Sequence, residues 1–505
     1  MRFELTEELP LQRFSRPPRS TAPAPRRARG IVPRLTGGPG WWKLAGMRTI
    51  LFQNATVIDG ESDEPHERWS VLTEGERIAA VGPVDELRAP DGARVIDCTG
   101  RTVMPGLIDC HFHGAYQAVS CWEDYDLRRS IEHATLLAAR NAQTLLEAGF
   151  TSARDVGTRG LIAVALRDMI DAGVILGPRL SPGGRIISST GGLADGYGHW
   201  IENRASLGHV VDGVEAVVKA VREQVKYGVT NIKLEASGTG ISPFSDSRKQ
   251  TMSFEEIAAA VKEAHRNGVR VACHAQATEG IKNAVRAGVD TIEHGSFLDE
   301  EGADLMLEHG TTLIPTISVI WLYVNEGPNV GVPQWVVDKF AGDLVEHRQS
   351  VELALDRGIP MAVGSDSGHS FNPQSIIAIE LELMVEWGFA PMHAIMAATS
   401  IAARAIGREA HVGRLAPGLY ADLLVLDGNP LDSMKVFRAP GGIRRVYKGG
   451  RLVAGAECPR VEEIELGYDV APDEAAGAPG TAAAAGDADA VDRPCCLMTS
   501  DELGR

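Results

Sequence analysis

The sequence predicts an α/β protein, a (β/α)8 TIM barrel that carries a small β-sandwich built from both of its flanks. Two observations favour this class. Between about residues 130 and 370 one local pattern recurs, in which a helix-like stretch closes on glycine and a short run of β-forming residues follows. The segments on either side of that region instead have the pattern of short alternating strands and turns, without helical periodicity.

The recurring junction occurs seven times in the central region. Its glycines stand where a helix C-cap needs a positive φ, and they are Gly149, Gly173, Gly228, Gly268, Gly288, Gly310 and Gly358. Helical periodicity precedes them, as in "GVEAVVKAVREQVKYG", and Ser253 with Glu256 predicts a capping box at one helix start. Seven junctions introduce seven strands, and "PGLIDCHFHG" in front supplies an eighth, the number that closes such a barrel.

Composition divides the chain into four parts. Residues 1–46 are rich in Arg and Pro and lack the apolar core of a secretory signal, so we expect a disordered leader or a start codon assigned too early. Residues 48–104 together with 413–466 are assigned to the β-sandwich, and residues 105–412 to the barrel. Residues 467–505 are low-complexity Ala, Gly and Asp and are expected to be disordered.

Charge and cysteine usage argue against several classes of protein. A formal net charge of -17 disfavours binding to nucleic acid or to an anionic membrane, and it suits a protein that handles small molecules. No apolar run approaches the roughly 20 residues of a membrane span. Seven cysteines without a CxxC pair indicate no disulfide framework, and hence a reducing, cytoplasmic location. We expect a small-molecule substrate and a homo-oligomer.

Side chains of metal-ligand type follow the predicted barrel strands. His111 and His113 are separated by one residue in predicted barrel strand 1, so both side chains point to the same side and can bind one metal ion. The alternative is that one histidine is a core residue and the other lies in a loop. Barrel enzymes carry their working residues at the carboxyl ends of strands. Four further candidates stand there, in strands 4, 5, 6 and 8 respectively: Lys233, His274, His294 and Asp366.

Lys233 stands between Ile232 and Leu234 in a strand that should be buried on both faces. A buried ammonium is strongly unfavourable unless it is paired or neutralised. One interpretation pairs Lys233 with Glu235 or another nearby acid. The other is that a desolvated lysine with a lowered pKa reacts with CO2 to form a carbamate, whose two oxygens can bridge two divalent cations.

Taken together, these segments resemble the amidohydrolase superfamily and are most similar to its imidazolonepropionase-like branch, which includes prolidase-type dipeptidases, carboxypeptidases and ochratoxin-hydrolysing enzymes. The resemblance covers about residues 48–460 and rests on "PGLIDCHFHG", "NIKLEASG", "HAQATEGI", "TIEHGS", "GSDSG" and "GRLAPGLYADLLVLDGNP". The segment "GGLADGYGHW" departs from the Gly-Gly-His-Gly-Asp run expected in this branch.

The resemblance implies a binuclear metal centre and a hydrolytic reaction. Its six ligands would be three for a first ion (His111, His113 and Asp366), two for a second (His274 and His294) and a bridge from carboxylated Lys233. Two divalent ions, with Zn preferred over Mn, Fe or Co, make a bridging water acidic enough to be hydroxide near neutral pH. Asp366 would act as general base and then general acid. The expected outcome is hydrolysis of an amide bond, peptide-like or in an N-acyl amino acid.

Further residues lie on predicted loops of the catalytic face, where substrate contacts belong. For each of them loop packing is the alternative, and they are Tyr197, His199, Ser237, Thr239, Trp321, Tyr323 and His369. The remaining histidines of helical segments are expected to be solvated, namely His133, His265, His309 and His347.

Three other functions stay open. A mononuclear deaminase or a true imidazolonepropionase typically carries a proton-shuttling Glu three residues beyond the strand 5 histidine, where this chain has Ala277. A cyclic amide hydrolase of the hydantoinase type shares the metal set and is not distinguished by it. A catalytically inactive scaffold would need lost ligands, whereas all six positions are filled.

Overall fold

The computed structural model describes residues 49–117, 119, 126–198, 200–201, 206–368 and 377–458, so the predicted leader and tail lie outside the described part. Within these ranges the chain forms seventeen strands, β1 to β17 in chain order: Thr49–Val57, His66–Glu74, Arg77–Pro83, Arg94–Asp97, Thr102–Pro105, Leu107–Phe112, Phe150–Asp155, Arg179–Ser181, Ile186–Ser188, Gly208–Val210, Asn231–Glu235, Arg270–Ala275, Thr291–His294, Thr312–Ile314, Leu423–Leu426, Ile443–Lys448 and Arg451–Ala454. The same described residues form eleven α-helices, α1 to α11, over Ile131–Glu147, Ile162–Asp171, Val214–Lys226, Phe254–Arg266, Thr278–Ala287, Glu300–His309, Ile317–Asn325, Gln334–Asp356, Ile379–Glu386, Pro391–Ala397 and Ser400–Ala405.

Both flanks of the chain contribute to one sheet of eight strands. β1 pairs antiparallel with β2 along one edge, and it pairs parallel with β4 and then with β5 along the other. β15 pairs antiparallel with β5 and so joins the C-terminal flank to the N-terminal one. The strands predicted to form a sandwich therefore share one continuous hydrogen-bonded sheet, over an apolar cluster that includes Phe52, Val71, Leu423 and Tyr447.

The strands between the flanks are parallel and lie in two sheets, β6-β7-β8 and β10-β9-β11-β12-β13-β14. The extended segment 361–367 stands where the eighth strand is predicted and bonds to both sheets. Ala362 N donates to Leu313 O at 3.0 Å on the β14 side, and Asp366 N donates to His111 O at 2.8 Å on the β6 side. Among the described residues the strands do not join into a single closed barrel.

Six of the seven predicted helix-to-strand junctions are followed by a strand, and after Gly358 the segment 361–367 makes only isolated bridges. All seven junction glycines have positive φ, from 67° at Gly310 to 90° at Gly228. At Gly310 the left-handed conformation ends α6, and the next residues turn directly into β14. The predicted capping box is also present, since Ser253 accepts from the backbone of Glu256 and Glu256 bonds back to the N-cap. The sequence therefore marks these element boundaries correctly.

The helical histidines divide into three that are exposed and one that is not. His133, His265 and His309 are exposed as predicted. The prediction for His347 is wrong: this residue of α8 is 0% exposed, its ring packs edge-on against Trp387, and burial lowers its pKa to about 4. None of the described helices is both long and apolar enough to cross a membrane.

Candidate active site

A cavity lies at the carboxyl ends of the parallel strands. All six residues predicted as metal ligands line it, and they are His111, His113, Lys233, His274, His294 and Asp366. Each residue is almost completely buried, between 1% and 6% exposed. Five of the six lie in or directly after a strand, and Asp366 belongs to the extended segment 361–367. The structure thus brings together residues spread over more than half of the chain.

His111 in β6 and His113 directly after it are each held by a hydrogen bond at one ring nitrogen. His111 Nδ1 lies 2.7 Å from Glu293 Oε2, and His113 Nδ1 lies 2.8 Å from Gly157 O. A carbonyl oxygen can only accept, and a carboxylate is the natural acceptor for an imidazole N–H. Both Nδ1 atoms therefore carry the proton as donors.

The other two histidines are held by neutral partners. His274 Nε2 lies 2.9 Å from Gly238 O, and His294 Nδ1 lies 2.6 Å from Thr316 Oγ1. The Thr316 hydroxyl donates to Pro315 O at 2.7 Å, so its oxygen is left to accept from His294. In all four histidines the ring nitrogen that bonds to these partners, here called the outer nitrogen, is the hydrogen-bond donor.

The inner nitrogens of the four rings consequently present lone pairs to one another. Neighbouring ring centroids are 4.6 Å apart for His274 and His294, and 5.2 Å apart for His111 and His294. One ligand atom each from His111, His294 and Asp366 lies within 4.8 Å of the other two. Neutral imidazole with a free lone pair is the form that binds metals. The residues present therefore fit a centre for divalent metal ions.

Asp366 is fixed by the backbone rather than by a regular strand. Its Oδ1 lies 3.1 Å from His113 Nε2 and 3.3 Å from His111 Nε2, which are unprotonated in the tautomers derived above. Its φ is 51°, a left-handed conformation that is unfavourable for a residue with a side chain. Asp109 accepts from Ser365 N at 3.0 Å and from Ser365 Oγ at 2.6 Å, so β6 clamps the segment that carries Asp366.

Lys233 lies on β11 and lines the cavity. Its Nζ is fully buried, and among the described residues no group hydrogen-bonds to it. Burial lowers the pKa of Lys233 from its ordinary value. Glu235, the acid that could have paired with it, instead accepts from Ser189 and from the backbone N–H of Leu193. Burial thus shifts Lys233 toward the neutral amine, which is the nucleophilic form.

Burial sets the protonation of two of the histidines. It lowers the pKa of His274 to about 3 and that of His294 well below the ordinary value, and the positive charge of Lys233 adds to the effect at His274. At His113 burial also lowers the pKa, but the Asp366 carboxylate would accept a hydrogen bond from the protonated ring and attracts its charge, so the net pKa is raised. His274 and His294 are therefore neutral at physiological pH.

Two charged residues of this site escaped the sequence analysis. Arg154 and Glu293 are 1% and 0% exposed, and Arg154 Nη2 lies 2.8 Å from Glu293 Oε1. Arg154 also donates to Cys110 O at 2.7 Å and to Thr291 Oγ1 at 3.0 Å. Burial alone would raise the pKa of Glu293, but the charges of Arg154 and Lys233 hold it below its usual range. The signal was available, because each residue is a charge within a strand expected to be buried.

The predicted substrate contacts are only partly at the cavity. Thr239 and Tyr323 line it. Ser237 instead accepts from the backbone of Gln276, Tyr197 donates to Asp126, and Trp321 packs against the hydrophobic core. Trp321 and Tyr323 are two positions apart on α7, and such residues face different sides of a helix. His199 and His369 lie outside the described residues.

Comparison with known proteins agrees with this site. Residues 102–453 match the amidohydrolase family. The ochratoxinase of Aspergillus niger is 33% identical over 436 residues, which cover 81% of this chain and 87% of that protein. The imidazolonepropionase of Geobacillus kaustophilus is 26% identical over 415 residues, covering 77% of this chain and 90% of the relative.

Solved structures give the same result. A Xaa-Pro dipeptidase with bound methionine superposes with a TM-score of 0.74 at 33% identity, covering 81% of this chain and 100% of that one. The crystal structure of the A. niger ochratoxinase has a TM-score of 0.71 at 29% identity and covers 81% of this chain and 96% of that one. These neighbours and the family match imply a TIM-barrel-like fold with an extra domain, and the family is metal-dependent. The chain therefore belongs to the amidohydrolase family, in its imidazolonepropionase-like branch, and is a hydrolase that acts on carbon–nitrogen bonds.

Proposed function

We propose that the protein is a binuclear metal-dependent amidohydrolase that cleaves a peptide-like amide bond or an N-acyl amino acid. The observation that carries the proposal is the set of four imidazoles whose outer nitrogens are all hydrogen-bond donors. Their inner lone pairs converge on the carboxylate of Asp366 and the unpaired amine of Lys233. Six ligand positions are more than one tetrahedral site needs.

The ligands are assigned to two ions, most simply Zn²⁺. The first ion would be held by His111, His113 and Asp366, and the second by His274 and His294, with a carbamate on Lys233 between them. The buried, unpaired Nζ of Lys233 supports this assignment, because a neutral amine is the form that reacts with CO2. When bound, two divalent ions supply an acidified water and polarise the scissile carbonyl.

The protein residues then handle the proton. The Asp366 carboxylate accepts the proton of the attacking water and delivers it to the leaving nitrogen, acting first as base and then as acid. The hydrogen bond from His111 to Glu293 and the one from His113 to Gly157 hold both rings in the orientation that faces Asp366. Position 277 is Ala, so the proton-shuttling Glu of the mononuclear alternatives is missing there. A cytoplasmic location and a homo-oligomeric state stay predictions.

The test combines metal content with a substrate screen. The full-length protein is reconstituted separately with Zn²⁺, Mn²⁺ or Co²⁺ in the presence of bicarbonate, and metal is measured per chain. We expect about two ions and hydrolysis of N-acyl amino acids or dipeptides. A content that stays near one ion would contradict the binuclear assignment. Turnover of hydantoins or lactams alone would favour the cyclic amide hydrolase. Release of ammonia from amines would favour the deaminase.

A further inference from the structure

The cavity has two chemically different parts. Its floor consists of the six proposed metal ligands. Away from the floor, the lining is apolar except for Thr239 and Gln276, and the apolar residues are Ile186, Leu193, Leu207, Ile241, Val319, Ile320, Tyr323 and Phe340. Among the described lining residues the only formal charges are those of Lys233 and Asp366, both on the floor. A charged substrate group placed against this wall would be buried without a counter-ion, which is strongly unfavourable.

One side of the wall comes from the helices between β14 and segment 361–367. The rings of Tyr323 on α7 and Phe340 on α8 are stacked, with centroids 4.4 Å apart and planes inclined by 11°. Gly240 lies against the Phe340 ring, since a Cβ at this position would be 3.2 Å from it. Next to Phe340, Lys339 donates to Ser242 O at 2.9 Å and ties α8 to the loop that carries Ile241.

A second part of the wall is held by buried carboxylates. Leu193 donates its backbone N–H to Glu235, and Leu207 donates its backbone N–H to Asp126 at 3.0 Å. Both acids are buried. The apolar wall is therefore formed in advance by packing and hydrogen bonds, and a preformed wall can discriminate between substrates by shape and polarity.

We propose that the enzyme selects amides in which one of the two groups joined by the scissile bond is bulky, apolar and uncharged, and that Ile241, Tyr323 and Phe340 determine this specificity. The inference rests on the proposed function. The substrate class follows from the composition of the cavity wall at the same site.

Two matched substrate series test the class. In the first, glycine carries an acetyl, butanoyl, hexanoyl, benzoyl or succinyl group; in the second, N-acetyl is fixed and the amino acid is Gly, Leu, Phe, Lys or Asp. In at least one series we expect kcat/KM to rise about four-fold per added methylene, the equivalent of about 0.8 kcal/mol. If the acyl series responds, hexanoyl should exceed acetyl by about 10²-fold and succinyl should rank lowest; if the amino acid series responds, Lys and Asp should rank lowest.

Variants of the wall test the residues. Ile241→Lys supplies a counter-ion, so the ratio of kcat/KM for succinyl over hexanoyl should rise at least about 10-fold. Phe340→Leu should lower the preference for benzoyl over acetyl without changing metal content, although loss of the stacked ring should lower Tm modestly. This variant tests the wall if Ile241→Lys fails to fold. Val345→Lys is the control, because Val345 lies on the same helix as Phe340 and is 63% exposed; its substrate profile should match the wild type.

The possible outcomes separate the two proposals. If neither the amides of these series nor the dipeptides of the functional screen are hydrolysed, the proposed function is overturned and this inference with it. If amides are hydrolysed but both series are flat or favour the charged members, the inference alone is overturned. Wall variants with an unchanged profile would show that other residues set the specificity and would overturn the assignment to Ile241 and Phe340.

Discussion

His111 and His294 face the same centre, yet they are held in opposite ways. Behind His111 stands a buried ion pair, in which Glu293 accepts from the imidazole on one side and binds Arg154 on the other. Behind His294 stands a neutral hydroxyl, that of Thr316. A carboxylate partner makes an imidazole a stronger ligand than a neutral acceptor does. The first proposed metal position should therefore bind its ion more tightly than the second.

The two arrangements also differ in the free energy that is lost when one partner is removed. A buried ion pair that loses one member leaves an uncompensated charge, which costs about 3–5 kcal/mol. A lost neutral hydrogen bond leaves only an unsatisfied donor, at about 1–3 kcal/mol. The charged half of the site thus couples metal binding to the stability of the whole domain, whereas the neutral half can be changed locally. The four variants below test this contrast.

Lys233→Ala should have the largest effect, because the proposed carbamate joins both halves. We expect both ions and turnover to be lost together, with partial recovery of both by bicarbonate and a short carboxylic acid. Metal content and Tm are measured on the same preparation, with Lys219→Ala, a change at a side chain that is 78% exposed, as the control. A variant that keeps two ions and most of its turnover would rule out the bridge.

Asp366→Asn removes the proton acceptor and leaves an oxygen that can still contact an ion. We expect kcat to fall by about 10²-fold to 10⁴-fold, the usual contribution of general acid–base catalysis, while Tm stays close to the wild type. Steady-state kinetics at saturating substrate give the answer. Activity within a few-fold of the wild type would assign the proton transfer to another group.

Glu293→Gln should break the charged half of the site. It leaves Arg154 buried without a counter-charge, so we expect about 3–5 kcal/mol of destabilisation in chemical unfolding, together with weaker metal retention. The double variant Arg154→Met/Glu293→Gln removes the stranded charge, and it should recover stability but not metal affinity. Wild-type stability of the single variant would show that the pair contributes little.

Thr316→Val should have the smallest effect and is the neutral counterpart. Valine has nearly the same shape as threonine, so the strained φ of 49° at this position is equally tolerated and only the hydroxyl is lost. We expect about 10-fold to 100-fold weaker binding of one ion, seen as a faster first phase when a chelator removes the two ions. Equal loss of both ions would contradict unequal halves.

Much of this site follows from local sequence patterns. The glycine junctions indicate where the strands begin. The HxH pair, the buried lysine and the single histidines lie at the carboxyl ends of these strands. They converge in the structure because the carboxyl ends of parallel strands meet at one edge. Arg154 and Glu293 could have been predicted as site residues in the same way as Lys233, because each is a charged residue in a strand expected to be buried on both faces.

Other features depend on packing that no local pattern encodes. Ile241 and Phe340 line one wall although about a hundred positions separate them along the chain, and their contact is set by how α8 lies over the loop after β11. His347 was expected to be solvated because it stands in a helical segment, but α8 turns that face against Trp387. The single sheet of the flanks arises in the same way, since the pairing of β5 with β15 spans more than three hundred residues.

The clamp between Asp109 and Ser365 has a consequence for biosynthesis. It joins groups 256 positions apart, so His111 leaves the ribosome long before the segment that carries Asp366. A nascent chain can bury most of β6 to β14 while its proposed metal centre still lacks a ligand, and contacts of such high sequence separation form slowly. Completion of the first proposed metal position would thereby be deferred until translation of the catalytic domain is nearly complete, and an ion bound there would then stabilise only the finished fold.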